Sequence, residues 1–162
     1  MRKTYETKED RLNEQSICNH VQGNLDADMI ISPSLPYSYT IDRAIIKNEN
    51  IIAWLEIKVQ KYNLQYTTLP YYWLGLRKAN EGVQWARITN RPFFFIAKFK
   101  DMGVMATEIN LESVREYPIM FGGREITQRD NDDLELILKI PVERFFRINE
   151  LSDRIIGVRG LS

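Results

Sequence analysis

The segment Ile51–Gln60 constrains the fold more than any other part of the sequence. Its odd positions are all apolar, whereas its even positions turn polar towards the end, at Glu56, Lys58 and Gln60. Side chains of a strand alternate between two faces, so one face is apolar throughout and the other becomes polar at one end. Strands buried on both faces are apolar along their whole length. The pattern therefore predicts a central strand whose end leaves the core and enters a cleft.

A carboxylate also interrupts the preceding apolar segment, Tyr39–Ile46, at Asp42. Aspartate is disfavoured in strands, so its presence requires a reason. If the two segments form a hairpin with the three-residue loop Asn48–Asn50, the numbers of paired residues add to 98 and Asp42 faces Glu56. A two-residue loop would instead place Asp42 opposite Leu55, on the other face of the sheet.

Two carboxylates directly opposite each other in a sheet repel unless a positive charge lies between them. Lys58 could supply that charge. A hard divalent cation would supply it better, because Mg²⁺ binds one or two carboxylates together with waters and phosphate oxygens. Such an ion lowers the pKa of a bound water and stabilises charge on a phosphate under attack. The alternative without a catalytic function is a cross-strand ion pair on a solvated face.

The pattern D-x(13)-E-x-K, formed by Asp42, Glu56 and Lys58, resembles the PD-(D/E)XK nuclease superfamily of restriction endonucleases and archaeal Holliday-junction resolvases. The resemblance implies a DNA nuclease that depends on Mg²⁺ or Mn²⁺. Asp42 and Glu56 would bind the metal together with the main-chain carbonyl of Ile57, and Lys58 would assist hydrolysis. A glutamate on the first helix often completes the site in this superfamily, and Glu14 matches it by position.

Local patterns elsewhere predict the order α-β-β-β-α-β with further C-terminal strands. This is an α/β or α+β domain with a restriction endonuclease-like core. Besides the two strands above, the predicted elements are a helix at Thr7–Gln22, a short strand near Asp28–Ile31, a helix at Tyr71–Thr89, strands at Phe93–Lys100 and Val104–Ile109, a hairpin turning at Gly122-Gly123 between strands Tyr117–Phe121 and Arg124–Gln128, a strand at Leu134–Ile140 and a helical turn at Val142–Ile148. No linker divides the chain, so residues 1–162 are expected to form one nuclease-like domain.

The window from residue 72 to residue 100 contains six basic residues and one acid. Its positive charge favours contacts with DNA phosphates, and a solvated helix face with extended cationic side chains is the equal alternative. The predicted DNA-binding residues are Lys78, Arg87 and Lys98, with Gln60 at the end of the central strand.

Composition excludes several other classes of protein. The 22 basic and 22 acidic side chains balance, which argues against a basic nucleic-acid coat protein and an acidic tail protein. The single cysteine, Cys18, excludes a disulfide scaffold, and the single histidine, His20, argues against a histidine-ligated zinc site. We find no nucleotide-binding glycine motif, signal peptide or apolar run of membrane length, so a cytoplasmic protein without a membrane partner is expected.

Two rival functions remain open at this stage. One is a catalytically silent nucleic-acid-binding or structural protein on the same fold. The other is a small-molecule-binding domain whose carboxylates hold a ligand in an enclosed pocket. The oligomeric state is open as well, and a homodimer would help a neutral protein of this size to span two DNA strands.

Overall fold

Nine strands and four helices make up the part of the chain that the computed structural model describes, residues 7–59, 64–123 and 134–159. The helices are α1 (Lys8–Asn24), α2 (Leu76–Thr89), α3 (Leu111–Glu116) and α4 (Leu151–Arg159). The strands are β1 (Met29–Ile31), β2 (Arg43–Lys47), β3 (Asn50–Lys58), β4 (Tyr71–Gly75), β5 (Phe93–Phe99), β6 (Gly103–Glu108), β7 (Ile119–Gly123), β8 (Leu134–Pro141) and β9 (Phe146–Arg147). None of the helices in these ranges has the length and apolar character needed to cross a membrane.

The main sheet is mixed and has the strand order β1-β2-β3-β5-β6-β9. Strands β3 and β5 pair in parallel, and their neighbours on either side are antiparallel. Strands β4, β8 and β7 form a second, antiparallel sheet. The mixed α/β class is confirmed, and the predicted succession of helix, three strands, helix and strand holds for the main sheet, with β4 of the second sheet inserted before α2.

The main sheet is buried on both faces at β3 and β5. On one face, α1 and α4 cover a core that includes Leu55 and Phe94. On the other, α2 and the second sheet cover a core that includes Trp54 and Phe95. Helix α2 approaches the sheet closely at Gly82, where an added Cβ would overlap the ring of Phe93. This double burial explains why β3 is apolar on both sides until it reaches Glu56.

The β2–β3 hairpin has the predicted pairing near Asp42, but its turn and a bulge in β3 differ from the prediction. Its loop is a two-residue turn, because Asn48 and Glu49 both have positive φ (51° and 67°) and the flanking residues pair directly. This conformation suits a tight hairpin. One extra residue, Ile52, then bulges from β3, and beyond it the pairing is Arg43 with Leu55. The predicted three-residue loop is wrong, but the bulge restores the register in which paired numbers add to 98.

Two predicted helix boundaries are wrong, the first because strand pairing outweighs the local pattern. Residues Tyr71–Gly75 form β4 rather than the first turn of a helix, since they pair with β8, bury Tyr72 and Leu74 and expose Trp73. Helix α1 is capped by Thr7 as the T-x-x-D pattern indicates, but it continues through Gly23 to Asn24.

The C-terminal third of the chain differs more from the elements that the sequence predicts. Gly122 and Gly123 lie inside β7, paired with β8, so they are not the turn of a hairpin. An added Cβ at Gly122 would overlap Ile137 on the neighbouring strand, which explains a glycine in this strand. The predicted strand Arg124–Gln128 lies outside the described residues. Helix α4 was not predicted, although Leu151 and Ile155 bury it against the α1 side of the sheet.

Candidate active site

Asp42 lies immediately before β2 and continues the ladder of hydrogen bonds between β2 and β3 with its side chain. Its Oδ2 accepts a hydrogen bond of 2.8 Å from the backbone N–H of Ile57, and its backbone carbonyl accepts one of 2.9 Å from Leu35. The predicted strand Tyr39–Ile46 is too long at its start, because Thr40 has a φ of 59° and turns the chain out of the sheet. A short acceptor side chain at position 42 therefore replaces the backbone partner that β3 loses.

The structure brings Asp42 and Glu56 together on the α2 face of the main sheet. The pairs Arg43–Leu55 and Ala44–Trp54 place Asp42 opposite Glu56 in the same register. The two carboxyl groups are hydrogen-bonded to each other, so they converge on one point rather than pointing to opposite sides. This convergence is the condition on which the predicted metal site depends.

Burial makes this carboxyl pair electrostatically unusual. Glu56 is only 8% exposed, and burial, followed by the charge of Asp42, raises its pKa from 4.5 to about 8. Burial also raises the pKa of Asp42, against the opposing influence of Lys78 and of the hydrogen bond from Ile57 N–H. Two neighbouring carboxylates in a water-poor site resist ionising together unless a cation joins them.

Lys78, in the first turn of α2, contacts the pair from above the sheet. Its Nζ lies 2.9 Å from Glu56 Oε1 and donates a hydrogen bond of 3.3 Å to the carbonyl of Thr40. The sequence predicts Lys78 as a contact to DNA phosphate. The structure places its charge within the carboxylate site, where it also ties α2 to the segment that precedes Asp42.

Lys58 and Ile57 border the same site from the end of β3. Lys58 follows Glu56 by two residues and therefore lies on the same face, half-buried at the last position of the strand. Within a strand, the N–H and C=O of one residue point to the same side. Because Ile57 N–H points to Asp42, its carbonyl is also directed to the β2 side, where the carboxylates meet.

Glu14 lies on the opposite side of the main sheet from this pair. It projects from α1 towards Arg43, whose Nη2 is 3.8 Å from Glu14 Oε2. Arg43 is 7% exposed and also donates to the carbonyl of Ser32 and to Gln15 Oε1. Within the described ranges, no three side chains of histidine, cysteine, aspartate or glutamate converge as a metal-binding group. The structure thus brings Asp42 and Glu56 together without Glu14.

Arg87 and Lys98, which are also predicted to bind DNA, do not line one groove with Lys78. Arg87 follows it by nine residues on α2, which is half a turn out of phase, and borders a surface depression next to Glu108. Lys98 is exposed on β5 and alternates with Phe94 and Ile96, so it lies on the α1 face. Gln60 lies outside the described residues. The roles of all three in DNA binding stay predictions.

Sequence reasoning missed the second charged cluster, around Arg43. An arginine inside an apolar strand, next to Asp42, was the available signal, because a buried guanidinium requires partners. Its Nε has no hydrogen-bond partner among the described residues.

The donor set of the site fits a hard divalent cation. Two converging carboxylates and a neighbouring backbone carbonyl are oxygen ligands, which Mg²⁺ and Mn²⁺ accept together with waters. A structural or catalytic zinc ion would require three or four nitrogen, sulfur or oxygen ligands, more than this pair supplies. A cation between the two groups would also favour their ionised forms, against the burial that raises both pKa values.

This fold and site together define the class of protein. A helix, three strands, a helix and a strand, with Asp and Glu-x-Lys at the end of two adjacent strands, are the features of a PD-(D/E)XK nuclease-like domain. Residues 1–148 match the family model described as "Phage putative PDDEXK endonuclease", and the chain belongs to this family. The predicted resemblance is therefore confirmed. No curated protein matches the chain.

Proposed function

We propose that this chain is a DNA endonuclease that depends on Mg²⁺ or Mn²⁺ and forms one nuclease domain over residues 1–162. The observation that carries the proposal is the buried, hydrogen-bonded pair of Asp42 and Glu56 at the end of β3. Membership in a family described as phage endonucleases supports DNA as the substrate. A cytoplasmic location and a homodimer belong to the proposal as well, the former supported by a lone cysteine and the latter by the need to span two strands.

In this proposal Asp42 and Glu56 hold the metal with the carbonyl of Ile57. The metal, when bound, supplies a more acidic water and charge stabilisation for the phosphate. In the hydrolysis, a bond forms between the water oxygen and phosphorus, one phosphorus–oxygen ester bond breaks, and the departing oxygen takes up a proton. Lys58, on the face that carries Glu56, orients the water or stabilises the negative charge that develops.

Lys78 has a second part in the proposed mechanism. Its ammonium group lies 2.9 Å from Glu56 Oε1 and favours the ionised form of Glu56 in the metal-free protein. If Glu56 held a divalent cation, the ammonium group of Lys78, 2.9 Å from Glu56 Oε1, would be close enough to the site to bind the phosphate. Glu14 acts at a distance, because its contact with Arg43 stabilises the start of β2 and thereby the position of Asp42.

The test is cleavage of supercoiled, linear and branched DNA with Mg²⁺, with Mn²⁺ and with EDTA. We expect cleavage only with a divalent metal. Lys58→Ala should lose cleavage and retain DNA binding, whereas Lys47→Ala, at the hairpin end of β2 in contact with Asp28, should cut normally. DNA binding without cleavage under any metal would identify the chain as a silent binding protein on the same fold.

Metal binding provides an independent test by calorimetry without DNA. The wild type should bind Mn²⁺, and Glu56→Gln should not. An unchanged affinity in Glu56→Gln would remove this carboxylate from the metal site.

A further inference from the structure

An exposed aromatic ring lies close to the carboxylate site and has no role in the mechanism above. Tyr39 is 45% exposed, and its ring rests on Trp85 of α2 with centroids 5.8 Å apart and planes inclined by 49°. Trp85 in turn packs on the buried Trp54, with centroids 5.3 Å apart. Tyr39 is thus the outermost member of an aromatic stack that is anchored in the core.

Tyr39 lies on the same face of the sheet as the carboxylates. Trp85 follows Lys78 by seven residues, or two turns of α2, so the two side chains are on one side of the helix about 10 Å apart along its axis. Asp42 follows Tyr39 by three residues, which limits their Cα separation to about 11 Å. In a stacked strand this distance covers about three nucleotides.

The backbone that carries Tyr39 is tied to the active site. Tyr39 N–H donates to the carbonyl of Pro36 at 2.9 Å, and the next residue, Thr40, has a φ of 59°. A β-branched residue rarely adopts this conformation, and the surroundings must hold it there. One such restraint is Lys78, whose ammonium group donates to Thr40 O while it contacts Glu56. The ring is therefore held in a fixed position relative to the carboxylates.

The chemistry of an exposed, rigidly supported ring beside a nuclease site identifies its ligand. Aromatic side chains bind nucleic acids by stacking on bases, and this requires a base whose face is uncovered. Bases within a duplex are covered on both faces by their neighbours, so an unpaired strand offers the matching surface.

We propose that the ring of Tyr39 is a stacking platform for a base of unpaired DNA, within about three nucleotides of the phosphate that is cut. The inference rests on the proposed nuclease function and deepens it by naming the substrate class. DNA with single-stranded character, such as a flap, a branch or a displaced strand, binds better than a continuous duplex.

The experiment measures binding of a fluorescein-labelled single strand, and of a duplex of the same sequence, in EDTA to prevent cleavage. Tyr39→Ala should weaken binding of the single strand by about 5- to 100-fold, and Tyr39→Phe should restore it. Tyr39→Leu keeps an apolar cover over Trp85 but lacks a flat ring, so it should fold like the wild type and bind like Tyr39→Ala. Binding of the duplex should change less than about twofold.

The control is Phe121→Ala, which removes an equally large exposed ring, 81% exposed, from the second sheet. It should bind both DNA forms like the wild type. The stacking platform is disproved if Tyr39→Leu retains single-strand binding. It is also disproved if Tyr39→Ala and Tyr39→Leu lose binding of the single strand and of the duplex alike. If the wild type, Tyr39→Ala and Tyr39→Leu all bind the single strand and cut DNA, this inference fails and the proposed function stands. If the wild type binds neither DNA form, both fail.

Discussion

Asp42 and Arg43 are consecutive residues with opposite charges, and their side chains have different partners. Arg43 faces α1, where Glu14, Gln15 and the carbonyl of Ser32 supply the partners of its guanidinium group. Asp42 faces α2 and meets another carboxylate, Glu56. There the pKa of Glu56 rises to about 8 even though Lys78 lies 2.9 Å away, so burial and the charge of Asp42 outweigh that cation.

In the proposed function, this difference separates a structural charge from a functional one. On the α1 face, the fold supplies partners for a buried charge from its own side chains, which fixes a strand to a helix. On the α2 face, the fold holds two carboxyl groups together, at a cost to its own stability once both ionise, and perturbed carboxyl groups of this kind are typical of active sites. Each of the following variants tests whether the two faces differ in this way.

The largest effect is expected for Asp42→Asn. Cleavage should fall by about 10³-fold or more, because a metal ligand is lost and metal ions contribute several kcal/mol to such reactions. Above about pH 8, where Glu56 is ionised as well, the metal-free variant should be at least as stable as the wild type, since repulsion between the two carboxylates disappears while an oxygen remains for Ile57 N–H. Plasmid cleavage and thermal unfolding measure the two quantities, with Asp28→Asn as the control. Normal cleavage by Asp42→Asn would show that the pair of Asp42 and Glu56 is not the active site.

Arg43→Met should show the reverse pattern. We expect the free energy of unfolding to fall by about 3 kcal/mol, because Glu14 loses its buried partner and the carbonyl of Ser32 loses a donor. Cleavage per folded molecule should fall by less than about tenfold. Urea unfolding monitored by tryptophan fluorescence provides the measurement, and Arg115→Met, at an exposed ion pair on α3, provides the control. Wild-type stability in Arg43→Met would show that the α1 cluster has no structural role.

The pH dependence of stability should report on Glu56, on the α2 face of the main sheet, without any substitution on the α1 face. The folded protein keeps a proton on Glu56 up to about pH 8, whereas the unfolded chain releases it near pH 4.5. The folded state therefore binds more protons in this range, and the metal-free protein loses a few kcal/mol of stability as the pH rises through it. Melting temperatures across this range should fall for the wild type and stay level for Glu56→Gln.

The melting temperature should also be measured with added Mn²⁺ at the upper end of that pH range. Mn²⁺ should raise the melting temperature of the wild type, because the ion replaces the proton between the carboxylates. A melting temperature of the metal-free wild type that stays level with pH would show that the pair is not held in its raised-pKa state.

The smallest effect is expected for Glu14→Gln. Cleavage should stay within about threefold of the wild type, because Glu14 contacts Arg43 on the α1 face, and stability should fall by about 1 kcal/mol. The superfamily resemblance implies a glutamate of the first helix in the site. A loss of cleavage as large as that of Asp42→Asn would therefore place Glu14 with the metal ligands and remove the distinction between the faces.

Much of the site followed from the sequence because strand alternation is a strict geometric rule. Glu56 and Lys58 had to share a face, and the apolar half of β3 required cover on both sides. Asp42 was found through its chemistry, as a charged residue among apolar ones.

The remainder depends on contacts between segments far apart in the chain. Tyr71–Gly75 has no local signal that separates a strand from the start of a helix, and pairing with β8 decides it. The position of Lys78 over Glu56 follows from this boundary, because a helix that begins at Leu76 places Lys78 in its first turn. The aromatic stack of Tyr39 and Trp85 joins two elements whose proximity no local pattern reports.

The bulge at Ile52 has a consequence for how relatives of this chain are recognised. The thirteen positions between Asp42 and Glu56 comprise β2, a two-residue turn and the first six residues of β3, of which Ile52 forms the bulge. A hairpin with a three-residue loop and no bulge would have the same number of intervening residues. The same motif length is therefore compatible with two backbone conformations. Conversely, a relative that lacks the extruded residue would need a compensating insertion in its loop to keep its acidic pair on one face. Paired insertions and deletions at these two places are therefore the variation in length that the active site tolerates.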